Sequence, residues 1–453
     1  MSQGTSPGLP PRAAAWRVLH DIRHEIPFDR ALERALVGLE EPDRRLAHEL
    51  AAGVLRHRTP LDQAIAPHVS GGVERVRDDL LDILRLGAYQ LLFLERVPRH
   101  AAVDTAVTLG RRIAGARVGG FVNAVLRKVA EQGVREPGSR GGREQGSQGV
   151  REPGSQGAPT AESMALEYSH PAWLVERWLA RFGPEETERL LVLNNTRPPL
   201  IIQQARWPRD ALIAGLDQQG IPWVSAPFDA GLIVTGRRPQ ELPGFAAGSC
   251  YVQDPAQALV VRFLDLPEGF RLYDACAAPG GKAIGFSARA GFVVAGDLRA
   301  ARTRRLRENL TRAGLGPAGF VAADAEHPPI RQLDAVLLDA PCLGTGAFAR
   351  HPDARWRVTE AALAELAAQG GRLLRALAET VRPGGLLFFA TCSLESEENE
   401  VQIDGFLAED RRFRREPATS VPGELLTTAG DLMLLPHVHG TDGAFAARLR
   451  RVA

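Results

Sequence analysis

Cysteine is scarce in this chain. Four thiols occur in 453 residues, Cys250, Cys276, Cys342 and Cys392, with no CxxC pair and no histidine cluster at zinc-ligand spacing. A disulfide framework and a metal-held fold are therefore not expected, and no metal ligand is assigned. In a reducing compartment such thiols are free to serve as nucleophiles. Lysine is scarcer still: Lys128 and Lys282 stand against 53 arginines. Arginine has replaced lysine wherever a guanidinium serves, so a surviving lysine marks a place where an ammonium is wanted. Long apolar runs are missing as well. Stretches such as Leu386 to Ala390 are strand-length, far short of the roughly 20 residues that span a bilayer, so no transmembrane helix is expected. The opening MSQGTSPGLPPRAAAW lacks a basic start followed by an apolar stretch and does not read as a secretory signal, which makes the cytoplasm the expected location. No sign of charge dominates: 55 basic and 54 acidic side chains leave a net +1. That sum argues neither for nor against nucleic acid, because it hides local patches.

What is present suits a globular protein of more than one core. Hydrophobic residues make up 44% and charged residues 24%, and the length exceeds what one core usually supports, so two or three domains are expected. Residues 10–130 read as an all-helical domain. Leu80, Ile83, Leu84 and Leu91 recur at helical spacing, as do Val103, Val107 and Leu109 to Ile113, with Pro98 as a break between the two runs. Residues 131–163 turn abruptly to Gly, Pro, Ser, Gln, Arg and Glu, and the octet QGVREPGS appears twice, at Gln132 to Ser139 and Gln148 to Ser155. With almost nothing apolar to bury, this stretch reads as a flexible linker. Residues 164–260 read as a small α/β subdomain. Residues 261–453 alternate strand-like and helix-like runs, the pattern of a mostly parallel sheet covered by helices.

The expected strands of that last domain are Arg271 to Asp274, Phe292 to Asp297, Phe320 to Asp324, Ala335 to Asp339 and Leu386 to Thr391, and four of the five end in aspartate. Ligands of an open parallel sheet sit outside the carboxyl ends of its strands, so these carboxylates are expected to share one cleft. One strand-terminal aspartate is ordinarily a turn former; four are harder to assign that way. The first strand runs into Asp274-Ala-Cys-Ala-Ala-Pro-Gly-Gly-Lys282, whose glycines let the backbone approach a ligand. It is neither GxGxxG nor GxxxxGK[ST]. An acidic residue about twenty positions on, Asp297, suits the two hydroxyls of a ribose, so the expected cofactor carries adenosine rather than an exposed triphosphate.

Cys250 and Cys276 read as small packing thiols. Cys342, in Asp339-Ala-Pro-Cys-Leu-Gly-Thr-Gly, and Cys392, in Thr391-Cys-Ser, both fall at strand ends bordering the same cleft. A chemistry that uses two such thiols can be derived. C5 of cytosine attacks a methyl sulfonium only after a thiolate has added at C6 and made C5 enamine-like. A proton or hydrogen bond at N3 must then drain charge from the ring, and a base must remove the C5 proton once the methyl is in place. Cys392, Asp339 and Cys342 fill those requirements. Spacing alone leaves open which cysteine attacks.

DACAAPGGK, LLDAPCLGTG with the following RHPDARW, and TCSLESEENE resemble the signature motifs of the RsmB/Sun (Fmu) family of RNA cytosine-C5 methyltransferases. The segment GFVNAVLR, Gly120 to Arg127, and the helical N-terminal region resemble the NusB-like RNA-binding domain that such proteins carry. The resemblance implies a Rossmann-like S-adenosylmethionine-dependent methyltransferase domain with a mostly parallel seven-stranded sheet. A small α/β subdomain and an all-α NusB-like domain would precede it. It implies that Cys276, Ala277, Ala278, Pro279, Gly280, Gly281 and Lys282 surround S-adenosylmethionine, that Asp297 takes the ribose hydroxyls, and that Asp324 faces the adenine. Asp339 would lie near the methionine end and the target base. The covalent role falls to Cys392 and product release to Cys342; the reverse assignment, in which the PC cysteine attacks as in DNA cytosine methyltransferases, is the rival.

The substrate so implied is 16S ribosomal RNA, unassembled or early in assembly, because the target cytosine must leave its stack to reach a cleft-bound thiol. A tRNA cytosine-C5 methyltransferase with the same site is one alternative. A catalytically inactive RNA-binding assembly or antitermination factor is another, and the presence of both cysteines and all four aspartates speaks against it. A monomer is expected. Arg299 to Arg312 holds six arginines and one glutamate, which suits either a solvated helix face or phosphate contacts. Residues 1–128 carry 19 basic and 15 acidic side chains, a surplus that gives RNA binding only mild support.

Overall fold

Apolar residues at helical spacing build the first half of the chain and apolar runs at strand spacing the second. In the computed structural model, which describes residues 8–132, 160–314, 316 and 318–453, they form two compact units. Among the described residues, the first comprises those up to Thr196 together with His351–Arg357, the second those in 197–350 and 358–453. Of the expected 131–163 linker, residues 133–159 lie outside the described residues.

The first unit is helical. Its elements are α1 (Leu9–Arg23), α2 (Phe28–Ala35), α3 (Glu41–Arg56), α4 (Arg58–Ile65), α5 (Asp78–Phe93), α6 (Arg99–Ala114), α7 (Val118–Glu131), α8 (Ala161–Tyr168), α9 (Ala172–Phe182) and α10 (Pro184–Asn194). Ile83, Leu84 and Leu91 of α5 and Val103, Val107 and Leu109 of α6 are buried in one core, and Pro98 caps the start of α6. Helices α8 to α10 pack in this unit, so the strands of the small subdomain begin only at Leu200, well after residue 164. The cause is visible in their side chains: Met164, Leu174, Val175 and Trp178 are buried, and the Ser169 hydroxyl after α8 accepts the Thr59 N–H at 2.9 Å.

The segment 351–357 is the one piece of the distal sequence that this unit incorporates. Arg355, 0% exposed, donates to the Asn194 carbonyl at 2.7 Å, the Asn195 side chain at 2.6 Å and the Ser169 carbonyl at 3.4 Å. The Trp356 indole donates to the Leu55 carbonyl at 2.8 Å beneath the Arg58 guanidinium, and Asp353 accepts the Phe28 N–H at 3.3 Å. Acceptors on both terminal nitrogens offset part of the cost of burying this guanidinium, whose pKa burial still pulls down to about 9.

The second unit holds two sheets. A four-stranded antiparallel sheet, in the order β2-β3-β1-β4, is made from β1 (Leu200–Gln204), β2 (Trp223–Ser225), β3 (Leu232–Val234) and β4 (Cys250–Val252), with α11 (Arg209–Gln218) between β1 and β2. Ile202, Leu212, Leu216, Leu232 and Cys250 form its core, and Cys250 is the packing thiol its sequence suggested. After α12 (Pro255–Leu264), the main sheet takes β5 (Arg271–Asp274), β6 (Phe292–Asp297), β7 (Ala318–Ala322), β8 (Leu333–Asp339) and β9 (Val381–Thr391). These are interleaved with α13 (Gly281–Phe286), α14 (Ala300–Ala313) and α15 (Glu360–Ala378). Then come α16 (Glu400–Glu409), β10 (Phe413–Arg415), β11 (Leu432–Leu434), α17 (Pro436–His439) and β12 (Ala444–Arg451).

Strands β5 to β9 are parallel, in the order β9-β8-β5-β6-β7, and β12 runs antiparallel against β9. The expected sheet of seven strands is in fact one of eight. β12 is long enough for two short strands to share its outer edge, β10 opposite Leu449 to Arg451 and β11 opposite Ala444 to Ala446. Alternation along the strands divides the core in two. Leu386, Phe388 and Ala390 pack on one face with α12, and Leu387 and Phe389 on the other with α15 and α16.

Candidate active site

The carboxyl ends of β5, β6, β8 and β9 carry the site. Asp274 pairs in register with Leu337 and Ala295, so Asp339 and Asp297 each reach two residues beyond it and Asp274 lies at the floor of the cleft. It is 1% exposed, and its Oδ1 has no hydrogen-bond partner among the described residues. Burial first, then the nearby Asp339, pushes its carboxyl up to about 8, against the pull of Lys282. The fourth aspartate departs from expectation. β7 ends at Ala322 because that residue faces Asp297, the last residue of β6. Asp324 lies two residues beyond, half exposed, where it accepts the Glu326 N–H at 2.9 Å and faces His327 at 3.4 Å. Three aspartates are brought together in the cleft, and the fourth forms a turn beyond the end of β7.

The loop after β5 is fixed at both sides: Ala275 N–H donates to the Leu337 carbonyl at 3.0 Å and Ala277 N–H to the Gly296 carbonyl at 2.8 Å. Gly280 has φ +112°, a conformation that demands glycine, and a Cβ there would lie 2.3 Å from Leu310 Cδ1 of α14, so that side chain would have to shift as well. From α14, Asn309 donates to the Pro279 carbonyl at 2.9 Å and Arg302 to the Ala278 carbonyl at 3.2 Å. Arg302 also approaches Asp297 at 3.5 Å, and Arg312 donates to the Phe245 and Cys250 carbonyls at 3.0 Å each. At least two of the six arginines in the 299–312 run are thus engaged with their own fold. Burial pushes the Cys276 thiol up to about 12, with Asp274 and Asp339 adding to the effect, which suits a packing thiol.

Lys282, the lysine retained in this motif, places its Nζ 2.7 Å from Asp339 Oδ2. Burial works to lower its pKa, but the charge and hydrogen bond of Asp339, reinforced by Cys392 and Asp274, carry it above the usual range. The ammonium is therefore held charged.

Beside this pair, Cys342 Sγ and Cys392 Sγ lie 3.6 Å apart. Cys342 is the thiol whose pKa rises, first through its hydrogen bond with Cys392, then through burial and the charges of Cys392 and Glu398. It keeps its proton and can offer it to the other sulfur. The two loops are tied by the Gly346 N–H to the Cys392 carbonyl at 3.0 Å and the Leu394 N–H to Thr345 Oγ1 at 2.8 Å. A Cβ on Gly346 would lie 2.6 Å from Gly443 Cα and 2.8 Å from the Cys392 carbonyl oxygen, so that close approach depends on glycine.

Three comparisons bear on this geometry. The 16S rRNA methyltransferase RsmB/F family profile matches residues 261–450, the NusB family profile residues 9–131, and the ferredoxin-like domain of RsmF/B-like methyltransferases residues 170–240. A probable ribosomal RNA small subunit methyltransferase B of Synechocystis sp. is 34% identical, over 97% of this chain and 99% of its own. The chain belongs to the RsmB/F methyltransferase family. Ribosomal RNA small subunit methyltransferase B of Pseudomonas putida is also 34% identical, over 98% of this chain and 99% of its own. The solved structure of PH0851 superposes with a TM-score of 0.80 at 25% identity, covering 98% of this chain and 99% of that one.

Like the rest of the RsmB/F family, the chain is a methyltransferase that uses S-adenosylmethionine. The cleft fits that group: Asp274 Oδ1 is buried without a partner among the described residues and Asp297 is a buried carboxylate. Among the described residues no group of His, Cys, Asp and Glu stands ready to hold a metal, and no helix is long and apolar enough to cross a membrane. Reading the RsmB/F motifs from sequence left three contributors without a role. Asp274 counted only as one of four aspartates, and Glu398 and Asn399 passed unremarked although they stand inside the TCSLESEENE motif.

Proposed function

We propose that this chain methylates C5 of a cytosine in 16S ribosomal RNA, acting as a monomer in the cytoplasm on RNA not yet assembled into a subunit. In this reading Cys392 is the nucleophile and Cys342 the residue of product release. The observation that carries it is the 3.6 Å separation of the two sulfurs next to the Lys282–Asp339 pair. Near-complete coverage by relatives named ribosomal RNA small subunit methyltransferase B supports the choice of substrate.

The Cys392 thiolate, facing the charged Lys282, adds to C6 of the cytosine and forms an S–C6 bond, placing an electron pair at C5. The Lys282–Asp339 pair holds a proton at the edge where N3 would be stabilised. Asp274, Asp297, residues 276–282 and Asp324 would hold S-adenosylmethionine, which would supply to C5 a methyl group from its sulfonium and leave as the neutral thioether. Once C5 carries the methyl, a solvent base takes the C5 proton, the C5–C6 double bond re-forms as the S–C6 bond breaks, and Cys392 departs as the thiolate that began the cycle, with the Cys342 thiol as its hydrogen-bond donor.

The experiment incubates full-length protein with 16S RNA and methyl-labelled S-adenosylmethionine, comparing wild type with Cys392→Ala and Cys342→Ala. Cys392→Ala gives neither methylated RNA nor a protein–RNA adduct, whereas Cys342→Ala accumulates the adduct. The opposite pattern exchanges the two roles.

A further inference from the structure

The two cysteines sit on separate loops, one after β8 and one after β9, and a 3.6 Å separation of their sulfurs needs both loops held. Two successive side chains do this from one place. Asn399 brackets Cys392: its Oδ1 accepts the Thr391 hydroxyl at 2.5 Å, and its Nδ2 donates to the Ser393 carbonyl at 2.9 Å. The residues on either side of Cys392 are thereby tied to one amide. Glu398 reaches the other loop, where its Oε1 accepts the N–H of Leu343, the residue after Cys342, at 2.9 Å. Both side chains are buried, Asn399 completely. Both are rooted in the short turn Ser396–Glu398, closed by Glu398 N–H to the Glu395 carbonyl and Asn399 N–H to the Ser396 carbonyl, which leads into α16. Ile403 and Phe406 anchor α16 in the core.

Glu398 holds the Leu343 N–H at a desolvation cost. Burial pushes its carboxyl up to about 7, and the Ser393 hydroxyl and Leu343 N–H only partly oppose that. An apolar residue would avoid that desolvation cost but would leave the buried Leu343 N–H without its acceptor.

We infer that Glu398 and Asn399 are a positioning pair that holds the loops of Cys342 and Cys392 together, so that Cys342 meets the Cys392 sulfur when the adduct is resolved. The pair acts through the two cysteine loops, to which its side chains bond. The inference rests on the roles given above to Cys392 and Cys342.

The test measures kcat and KM for 16S RNA, adduct that survives denaturing electrophoresis, and affinity for S-adenosylhomocysteine. The proteins are full-length Glu398→Ala, Glu398→Gln, Asn399→Ala and Asn399→Asp. Removing a buried hydrogen-bond partner should lower kcat by about tenfold or more in both alanine variants. KM and S-adenosylhomocysteine affinity stay near wild type, and adduct accumulates in Glu398→Ala. Glu398→Gln, whose amide oxygen still accepts the Leu343 N–H, restores most of the turnover. Asn399→Asp, which keeps the acceptor for Thr391 but loses the donor to Ser393, falls between wild type and Asn399→Ala. The inference is overturned by wild-type kcat and adduct level in Glu398→Ala. It is equally overturned if the Ala and Gln variants of Glu398 lose S-adenosylhomocysteine binding together with kcat. Cys342→Ala and Cys392→Ala run on the same gel: a reversed adduct pattern in those two indicts the cysteine roles. An expected pattern there beside unaffected Glu398 and Asn399 variants indicts the positioning pair alone.

Discussion

Asp274 offers the sharpest test of the cleft's electrostatics, through Asp274→Asn and the dependence of stability on pH. Burial pushes this carboxyl from an ordinary 3.8 to about 8, so the folded state holds its proton over a range in which the unfolded chain has released it. The sign follows: the group costs nothing below pH 4, and its cost grows as pH rises toward 8, beyond which it is constant. At about 1.4 kcal/mol per pH unit, the full span of roughly four units sets an upper bound of about 6 kcal/mol, and relaxation around Lys282 reduces it. Asparagine has nearly the same shape and cannot ionise, so it escapes the growing cost. Its amide donor is unpaired where Asp274 Oδ1 now lies, which adds an offset independent of pH. Relative to wild type, Asp274→Asn should therefore gain about 1 kcal/mol for each pH unit between 5 and 8. Urea titration at several pH values, with hydrogen exchange of the β8 and β9 amides reporting on the main sheet, measures that slope. A stability difference that stays flat from pH 5 to 8 refutes the reasoning, whatever its absolute size.

Two further substitutions address other parts of the molecule. Gly280→Ala forces an L-residue to φ +112° and drives its Cβ toward Leu310; the strain, about 1–3 kcal/mol, should weaken S-adenosylhomocysteine binding about tenfold or more by calorimetry, and unchanged affinity would contradict the role given to that loop. Arg355→Ala leaves the Asn194 and Ser169 carbonyls and the Asn195 side chain without their buried donor. At about 1–3 kcal/mol per orphaned group, the helical unit should lose at least about 3 kcal/mol, seen as faster hydrogen exchange in α9 and α10.

Local rules made much of this architecture legible in the sequence. Helical spacing with Pro98 as a break located α5 and α6 because an amphipathic helix must repeat its apolar face. The strand runs ending in Asp274, Asp297 and Asp339 appeared where expected because a parallel strand buried on both faces is apolar until it reaches the ligand edge. The third run misled: β7 stops at Ala322 because its neighbour β6 ends, a fact of pairing that Asp324 itself does not carry.

The four cysteines with which the sequence began illustrate the division. Their number, the lack of CxxC spacing and the survival of Lys282 are facts of the sequence, and they were enough to leave the thiols free for chemistry and to mark a place where an ammonium is wanted. Which thiols meet is a different kind of fact. Cys342 and Cys392 are fifty residues apart, and only the pairing of β8 with β9, the glycine contact of Gly346 with Gly443 and the grip of Glu398 and Asn399 bring their sulfurs to 3.6 Å. The segment 351–357 teaches the same lesson. Its motif was plain to read, but its membership of the helical unit, where Trp356 meets Leu55 and Asp353 meets Phe28, follows from long-range packing. Removing residues 1–130 therefore strips partners from 351–357 and from α8 instead of excising an independent module. Spacing along a chain fixes which side chains share a face; which faces meet is decided by closure of the sheet and burial of its core.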